Sequence, residues 1–321
     1  MKLAKRVRAF LLERDNAGLI ILLLGCFSLT AAVMHYAFVA LKPDSVYHVY
    51  QFQTNLLFHP GKEARLLSGA LIYGLHFVLR KMFLALIAAE WLFAFFSFSA
   101  LYLLAQRIIK DRTYALLAVA GLMFYYPLSF QLSTSRFGEF LLFGLFFALV
   151  YLVLAGQELL FVLLLLIAAT QRPEIAFSGV MFKLAYDLFE RRDWRRAAAD
   201  LLLIPLPFAV VWGINRFYAI DTNRYLQDSI LLMRFLGNLK GIVLHLSAYA
   251  PIIVLALFNY RRLGRIVYLM LLALVPYLAM ITIAGNYSES RLFLPFAGVL
   301  LIGVCYAIKN KGVFTLEKLI S

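Results

Sequence analysis

Basic residues stand at the start of five apolar runs in this sequence, where a helix would expose its positive end. They are Arg80 with Lys81, Arg136, Arg172, Lys240 and Arg291. The N-terminus of an α-helix carries a partial positive charge and favours Asp or Glu, so a cation there is electrostatically opposed. An anion bound between these residues would remove the conflict, because guanidinium groups and the backbone N–H groups of helix N-termini both bind phosphate.

These cations are also compatible with lipid contacts or with ion pairs inside the protein. Long basic side chains can reach lipid head groups one by one. Alternatively, three of the arginines have a glutamate close in sequence that can hold them in a structural ion pair: Arg136 with Glu139, Arg172 with Glu174 and Arg291 with Glu289.

Asp44 is a second group that could do chemistry, within the segment Lys42-Pro43-Asp44-Ser45-Val46-Tyr47-His48. Its carboxylate can act as a general base that deprotonates an acceptor hydroxyl. It can also hold a metal ion together with His48, which lies one helical turn further on. An aspartate after proline is equally typical of a helix N-cap, and a cap residue can also be catalytic.

The composition excludes an ordinary water-soluble domain and indicates an integral membrane protein. Of the 321 residues, 64% are hydrophobic and 15% are charged, and the mean hydropathy is +0.85. Soluble domains are about half apolar and a quarter charged. We attribute the net charge of +14 to loops that face anionic membrane lipids, and we expect no nucleic-acid partner.

Ten apolar runs predict an all-α, polytopic transmembrane helical bundle of about ten spans. They cover residues 17–41, 82–105, 113–130, 138–155, 158–171, 174–189, 197–217, 240–259, 266–284 and 292–308. Residues 158–189 can instead be a single helix broken at Arg172-Pro173-Glu174, which would leave nine spans. The positive-inside rule favours ten, because more than half of the 31 Lys and Arg residues then lie in cytoplasmic segments.

This threading predicts one membrane domain, residues 1–321, in a bacterial inner membrane with both termini in the cytoplasm. The longest outer loops are residues 42–81 and 218–238. In the first of them, residues 44–58 and 66–79 are predicted to form one or two helices that lie in the membrane interface. The basic cluster at 191–196, with its tryptophan, is interpreted as an interfacial anchor.

The order of these motifs resembles the GT-C superfamily of membrane-embedded glycosyltransferases, which use lipid-phosphate-linked sugars. The likeness covers most of the chain and rests on four outer segments: Pro43-Asp44-Ser45-Val46-Tyr47, Ser135-Arg136-Phe137-Gly138-Glu139, Thr170-Gln171-Arg172-Pro173-Glu174 and Glu289-Ser290-Arg291-Leu292-Phe293-Leu294-Pro295. The chain departs from the family in lacking a clear paired-acid motif in the first loop and a large soluble C-terminal domain. The missing second acid leaves a divalent-metal requirement open.

The resemblance implies an inverting glycosyltransferase of cell-envelope polysaccharide biosynthesis. It would move a sugar from a polyprenyl-phosphate donor to a lipid or glycan acceptor at the extracytoplasmic face. Asp44 would be the catalytic base, and Arg172 and Arg291 would hold the donor phosphate. Substrate binding is assigned to eight residues, with no metal ligand among them: Tyr47, His48, Arg136, Glu139, Arg172, Glu174, Glu289 and Arg291.

The alternative is a transporter or flippase for an anionic lipid-linked sugar, which would use the same cations as a binding site. A transporter is expected to carry ionisable residues to the midplane and the inner half of its spans. The predicted spans hold few charges in their inner halves, which favours the enzyme. A third interpretation is a non-catalytic assembly subunit in which the outer acids and arginines pair off.

Overall fold

The computed structural model of the protein describes residues 17–40, 66–130, 140–217, 247, 249–284 and 293–311. Within these ranges the chain is helical and contains no β-strand, which confirms the predicted all-α class. Three helical segments are long and apolar enough to cross a membrane, judged by length and composition: Ala17–Met34, Met82–Ile109 and Trp194–Ile214. The other apolar helices are shorter, and the number of ten spans stays a prediction.

The described residues form thirteen α-helices, numbered α1 to α13 in chain order. The first seven are α1 (Ala17–Ala40), α2 (Leu66–Leu79), α3 (Met82–Ile109), α4 (Arg112–Phe130), α5 (Phe140–Ala155), α6 (Glu158–Gln171) and α7 (Pro173–Tyr186). The other six are α8 (Trp194–Leu201), α9 (Leu206–Phe217), α10 (Ala250–Phe258), α11 (Arg265–Ala273), α12 (Val275–Ala284) and α13 (Leu294–Lys311). A π-helical turn, Asp187–Arg191, follows α7, and a 3-10 turn, Tyr260–Arg262, follows α10.

Proline explains two breaks within the predicted apolar runs. The run 197–217 is divided between α8 and α9, and Pro205 and Pro207 flank the first residue of α9. The run 266–284 is divided between α11 and α12, with Pro276 as the second residue of α12. Proline has no backbone N–H to donate to the preceding turn, so it is tolerated in the first turn of a helix and interrupts a longer one.

α3 lies at the centre of the bundle and packs against α1, α2, α4, α5 and α13. Its neighbour α5 is apolar on all sides and is correspondingly buried. The rings of Phe98 on α3 and of Phe140 and Phe143 on α5 are fully buried, with their centroids 5.8 to 6.3 Å apart. Their tilted and edge-to-face geometry is the favoured one for aromatic pairs, so these rings fix α5 against α3.

α6 and α7 form an antiparallel hairpin that packs on α5. Arg172 makes the turn, because its extended backbone (φ −154°, ψ 90°) ends α6 and leads into α7. Lys183, near the end of α7, contacts Glu158 at the start of α6 with 3.2 Å between Nζ and Oε2. Residues 158–189 are therefore two helices that run side by side, and not one broken helix.

Basic residues collect at one end of the bundle, termed the basic end, where α3, α5, α7 and α13 end and α4, α6, α8 and α11 begin. Arg107 Nη2 donates to the Leu154 carbonyl at 2.6 Å, and Lys309 Nζ donates to the last carbonyl of α3. Arg265 pairs with Glu190 at 3.0 Å. Four basic segments that the sequence assigns to the cytoplasm thus share one end: 107–112, 183–196, 261–265 and 309.

Gly144 lets α5 approach α3 closely. The buried Ser97 hydroxyl on α3 donates to the Phe140 carbonyl at 2.7 Å. A Cβ atom on Gly144 would overlap Ser97 Oγ and would lie 2.7 Å from Ser97 Cα. Because the Cα belongs to the backbone, rotation of the serine side chain cannot relieve this overlap. Small residues at such contacts are typical of helix packing in membranes.

We expect Gly144→Ala to lower the free energy of unfolding by about 1–3 kcal/mol, since the added methyl group overpacks the contact between α3 and α5. Chemical unfolding in detergent micelles measures this change. Gly74→Ala is the matched control, because a Cβ at that position in α2 meets nothing within 4 Å. It should leave the stability unchanged or raise it slightly. Equal stability of the two variants would contradict the packing described here.

Candidate functional site

Two of the predicted site residues, Arg172 and Glu174, lie within the described part of the chain. Arg172 is the residue between α6 and α7, and Glu174 is in the first turn of α7. The remaining predictions fall outside the described residues: Asp44, Tyr47, His48, Arg136, Glu139, Glu289 and Arg291. Their roles stay predictions.

Arg172 and Glu174 form an ion pair, with 3.2 Å between Nη1 and Oε1. Both side chains are largely buried, with exposed fractions of 9% for Arg172 and 21% for Glu174. The Arg172 carbonyl accepts the backbone N–H groups of Ile175 and Ala176 at 3.1 Å, which starts α7. The structure therefore contains the ion pair that the sequence offers as one alternative for Arg172, and it lies at the predicted N-terminus of a helix.

A pair of hydrogen bonds docks α2 beside this turn. The Ser68 backbone N–H donates to Gln171 Oε1 at 3.2 Å, and Gln171 Nε2 donates to Ser68 Oγ at 3.2 Å. Both residues are buried, which makes this reciprocal bond costly to break. The structure thus confirms the predicted helix over 66–79 and holds it against the residue that precedes Arg172.

The turn at Arg172 lies at the end of the bundle opposite the basic end, and we term it the Arg172 end. The α6–α7 hairpin joins the two ends, and its fourteen-residue helices span about 20 Å. Arg80 and Lys81 connect α2 to α3. Because α3 ends at the basic end, these two residues at its start lie at the Arg172 end. Three predicted cations of the helix starts, Arg80, Lys81 and Arg172, are therefore described by the structure.

A larger group of charges, which sequence reasoning missed as a site, lies buried at the basic end. Lys183 Nζ is 2.6 Å from Asp200 Oδ1, 3.0 Å from Asp187 Oδ2 and 3.2 Å from Glu158 Oε2. The side chains of Lys183, Asp187 and Asp200 are at most 6% exposed. We term five residues the Lys183 cluster: Glu158, Lys183, Asp187, Arg191 and Asp200. The cluster joins α6, α7, the π-helical turn and α8.

Arg191 closes the Lys183 cluster toward the surface. Its Nη1 is 3.0 Å from Asp187 Oδ1 and 3.6 Å from Glu158 Oε1, and its guanidinium lies 5.1 Å above the Tyr186 ring. Partial burial opposes the charge on this side chain, but Asp187, Tyr186 and Glu158 together outweigh that effect and raise the pKa of Arg191. Arg191 therefore keeps its charge and compensates the fully buried Asp187.

The interpretation of residues 191–196 as an interfacial anchor misses the role of Arg191 in this cluster. Lys183, Asp187 and Arg191 are spaced four residues apart, which places alternating charges on one helix face, and this spacing is visible in the sequence. Glu158 and Asp200 come from other helices, so no local pattern connects them to Lys183. The buried charges of the cluster lie at the inner ends of the predicted spans 174–189 and 197–217. They are an exception to the small number of charges in the inner halves of the other predicted spans.

Three carboxylates and two cations meet in the Lys183 cluster, and Asp200 Oδ2 has no hydrogen-bond partner among the described residues. Buried charges of this kind cost several kcal/mol each when unpaired, so removal of a cation is expected to destabilise the fold. The arrangement can either fix the hairpin against α8 or bind and release a proton or a cation. Within the described residues no group of three His, Cys, Asp or Glu side chains is arranged to hold a metal ion.

We expect Lys183→Met to lower the free energy of unfolding by about 3–5 kcal/mol, because it leaves Asp187 and Asp200 buried without their common cation. Adding Asp200→Asn to this variant should restore part of the loss. Chemical unfolding in detergent micelles measures both. The control is Arg195→Gln, since Arg195 is exposed at the same end and should tolerate the change within about 0.5 kcal/mol. A Lys183→Met protein as stable as the control would show that the cluster does not support the fold.

Similarity to characterised proteins does not assign a function to either end of the bundle. No protein-family model, no curated protein and no solved structure matches this chain.

Proposed function

We propose that the protein is a membrane glycosyltransferase that transfers a sugar from a polyprenyl-phosphate donor to a lipid or glycan acceptor at the Arg172 end of the bundle. The observation that carries this proposal is Arg172 itself, a largely buried guanidinium fixed at the N-terminus of α7. Phosphate binding is the chemistry for which a guanidinium and a helix N-terminus are jointly suited. The four outer segments that resemble the GT-C superfamily supply the reaction class.

The proposed topology has ten spans, with both termini in the cytoplasm and the Arg172 end outside. The collection of basic residues at the opposite end supports it, since Lys and Arg of short loops favour the cytoplasmic side. In this orientation α2 lies in the outer interface beside the site. A lipid-linked donor would then reach Arg172 from the outer leaflet.

The reaction needs a base on the acceptor and a cation on the leaving group. Negative charge develops on the donor phosphate as the bond between the sugar and the phosphate oxygen breaks, and a fixed cation stabilises it. In the proposal Arg172 and Arg291 hold that phosphate, and Glu174 keeps Arg172 oriented through their 3.2 Å ion pair. Asp44 removes the proton of the attacking acceptor hydroxyl, and the phosphate leaves from the opposite face of the sugar, which gives inversion.

A transporter for an anionic lipid-linked sugar is the second candidate, and one observation favours it. The buried Lys183 cluster places ionisable side chains at the basic end, as proton relays and coupling sites in transporters do. A transporter would show donor movement across the bilayer without sugar transfer, and this movement would depend on Lys183. The enzyme would show transfer at one face that depends on Asp44.

We expect Asp44→Asn to reduce sugar transfer by about a hundredfold or more, which is the usual contribution of a general base. The measurement is transfer of radiolabelled sugar from a panel of polyprenyl-phosphate donors by the purified protein in proteoliposomes. Arg195→Gln, at the opposite end, serves as the control and should keep full activity. Full transfer by Asp44→Asn would refute the catalytic assignment, and donor flux without transfer in the unaltered protein would favour the transporter.

We expect Arg172→Lys to weaken donor use about tenfold or more while the protein still folds. Lysine keeps the positive charge beside Glu174 but lacks the planar fork that binds phosphate through two hydrogen bonds. The effect should be a higher KM for the donor together with a lower kcat, because the contact strengthens as the phosphate leaves. Unchanged kinetic constants in the same assay would mean that the guanidinium has a structural role and does not bind the donor phosphate.

A further inference from the structure

A basic cleft of about 550 Å³ opens at the basic end, where the connection between α3 and α4 faces α5. It is lined by side chains that are mostly polar or charged: Leu103, Gln106, Arg107, Lys110, Asp111, Arg112 and Tyr151. Three of them are cations and one is an acid, so the cleft carries a net positive charge. Neither the Lys183 cluster nor the Arg172 end shares any of these residues.

The single acid of the cleft offsets only part of its positive charge. Asp111 Oδ1 accepts the backbone N–H groups of Thr113 at 2.9 Å and of Tyr114 at 3.2 Å, which makes Asp111 the cap of α4. Among the described residues, no carboxylate forms an ion pair with Lys110 or Arg112. These two cations are therefore available to an anionic ligand.

The walls of the cleft are held in place by contacts between helices. Arg107 Nη2 donates to the Leu154 carbonyl at 2.6 Å, and its guanidinium lies 5.9 Å from the centre of the Tyr151 ring. On the other side, Lys309 Nζ donates to the Lys110 carbonyl at 3.3 Å. Lys110 itself has a left-handed backbone (φ 55°), which turns the chain sharply between α3 and α4. A fixed cleft loses less entropy when it binds a ligand.

An apolar groove of about 290 Å³ between α1 and α3 adjoins this cleft. Leu103, Gln106 and Arg112 line both, so the two spaces meet at shared walls. The rest of the groove is predominantly apolar: Ala17, Ile20, Ile21, Leu24, Ser99 and Tyr102. A polar, positively charged chamber that continues into an apolar groove matches a ligand with an anionic head and a hydrocarbon tail.

We propose that the basic cleft and its groove bind one anionic phospholipid from the leaflet at the basic end. Its headgroup phosphate lies between Lys110 and Arg112, and one acyl chain lies in the groove between α1 and α3. Basic pockets between membrane helices are suited to anionic lipid head groups through the same charge complementarity. The bound lipid would join α1 to α3 at the end where α1 begins.

The residues that precede α1 are a less suitable occupant of the cleft. Residues 1–16 contain five basic side chains and only two acidic ones, Glu13 and Asp15. Their net charge has the same sign as that of the cleft, so the two repel each other. Charge complementarity therefore favours a lipid anion over this segment of the chain.

The test is binding of lipids to the purified, full-length protein in detergent, followed by native mass spectrometry and by the shift of the thermal unfolding midpoint. Three probes separate the possible ligands: phosphatidylglycerol, phosphatidylcholine with the same acyl chains, and inorganic phosphate. We expect phosphatidylglycerol to bind at least about tenfold more tightly than either of the others. The double variant Lys110→Gln/Arg112→Gln should lose this preference.

The control is Arg195→Gln/Arg262→Gln, which removes the same charge from exposed positions at the same end of the bundle. It should bind phosphatidylglycerol within about twofold of the unaltered protein. An equal loss in both double variants would overturn the proposal, because it would reduce the effect to general surface charge. Equal binding of inorganic phosphate would overturn the proposal too, because it would show that the acyl chain in the groove contributes nothing. Equal binding of phosphatidylcholine would also overturn it, because it would show that the charge of the headgroup contributes nothing. Sugar transfer plays no part in this measurement, so its outcome is independent of the proposed enzyme.

Discussion

A charge buried in an apolar helical bundle costs several kcal/mol unless a partner of opposite sign compensates it, and this constraint governs how α7 meets α8. Lys183 lies on α7, yet its partners Glu158 and Asp200 come from α6 and α8. α8 cannot move away from α7 without leaving the buried Asp200 unpaired, whereas Glu158, which is 49% exposed, adds a contact from α6 at the surface.

The two ends of the bundle compensate their charges in different ways. At the basic end, cations outnumber acids and several of them reach backbone carbonyls at helix C-termini, as Arg107 does with Leu154. Helix C-termini carry partial negative charge, so these contacts are favourable without any carboxylate. At the Arg172 end the situation is reversed, because Arg172 stands at a helix N-terminus and requires an anion. Glu174 supplies one within the chain, and a phosphate of the proposed donor would supply another.

Much of the fold could be predicted from local sequence, because helix formation and helix ends depend on neighbouring residues. Within the described residues the apolar runs coincide with helices, and Pro205, Pro207 and Pro276 account for breaks inside two of them. Contacts between distant residues could not be predicted. Ser68 and Gln171 are 103 positions apart, and Lys183 could be connected by pattern to Asp187 but not to Asp200. For Arg172, a glutamate two residues away is compatible with an ion pair or with a shared ligand site, and spacing alone does not distinguish them.

The contacts of the α6–α7 hairpin bear on the choice between enzyme and transporter. Alternating access requires one group of helices to rock against another around the binding site. This hairpin is fixed at both ends: by the Lys183 cluster at the basic end and by the reciprocal bonds of Gln171 and Ser68 at the Arg172 end. Rocking it against α2 or α8 would break buried polar contacts at every cycle. A fixed hairpin instead holds Arg172 in one position, and in the proposed transfer such preorganised charge would lower the barrier for the leaving phosphate.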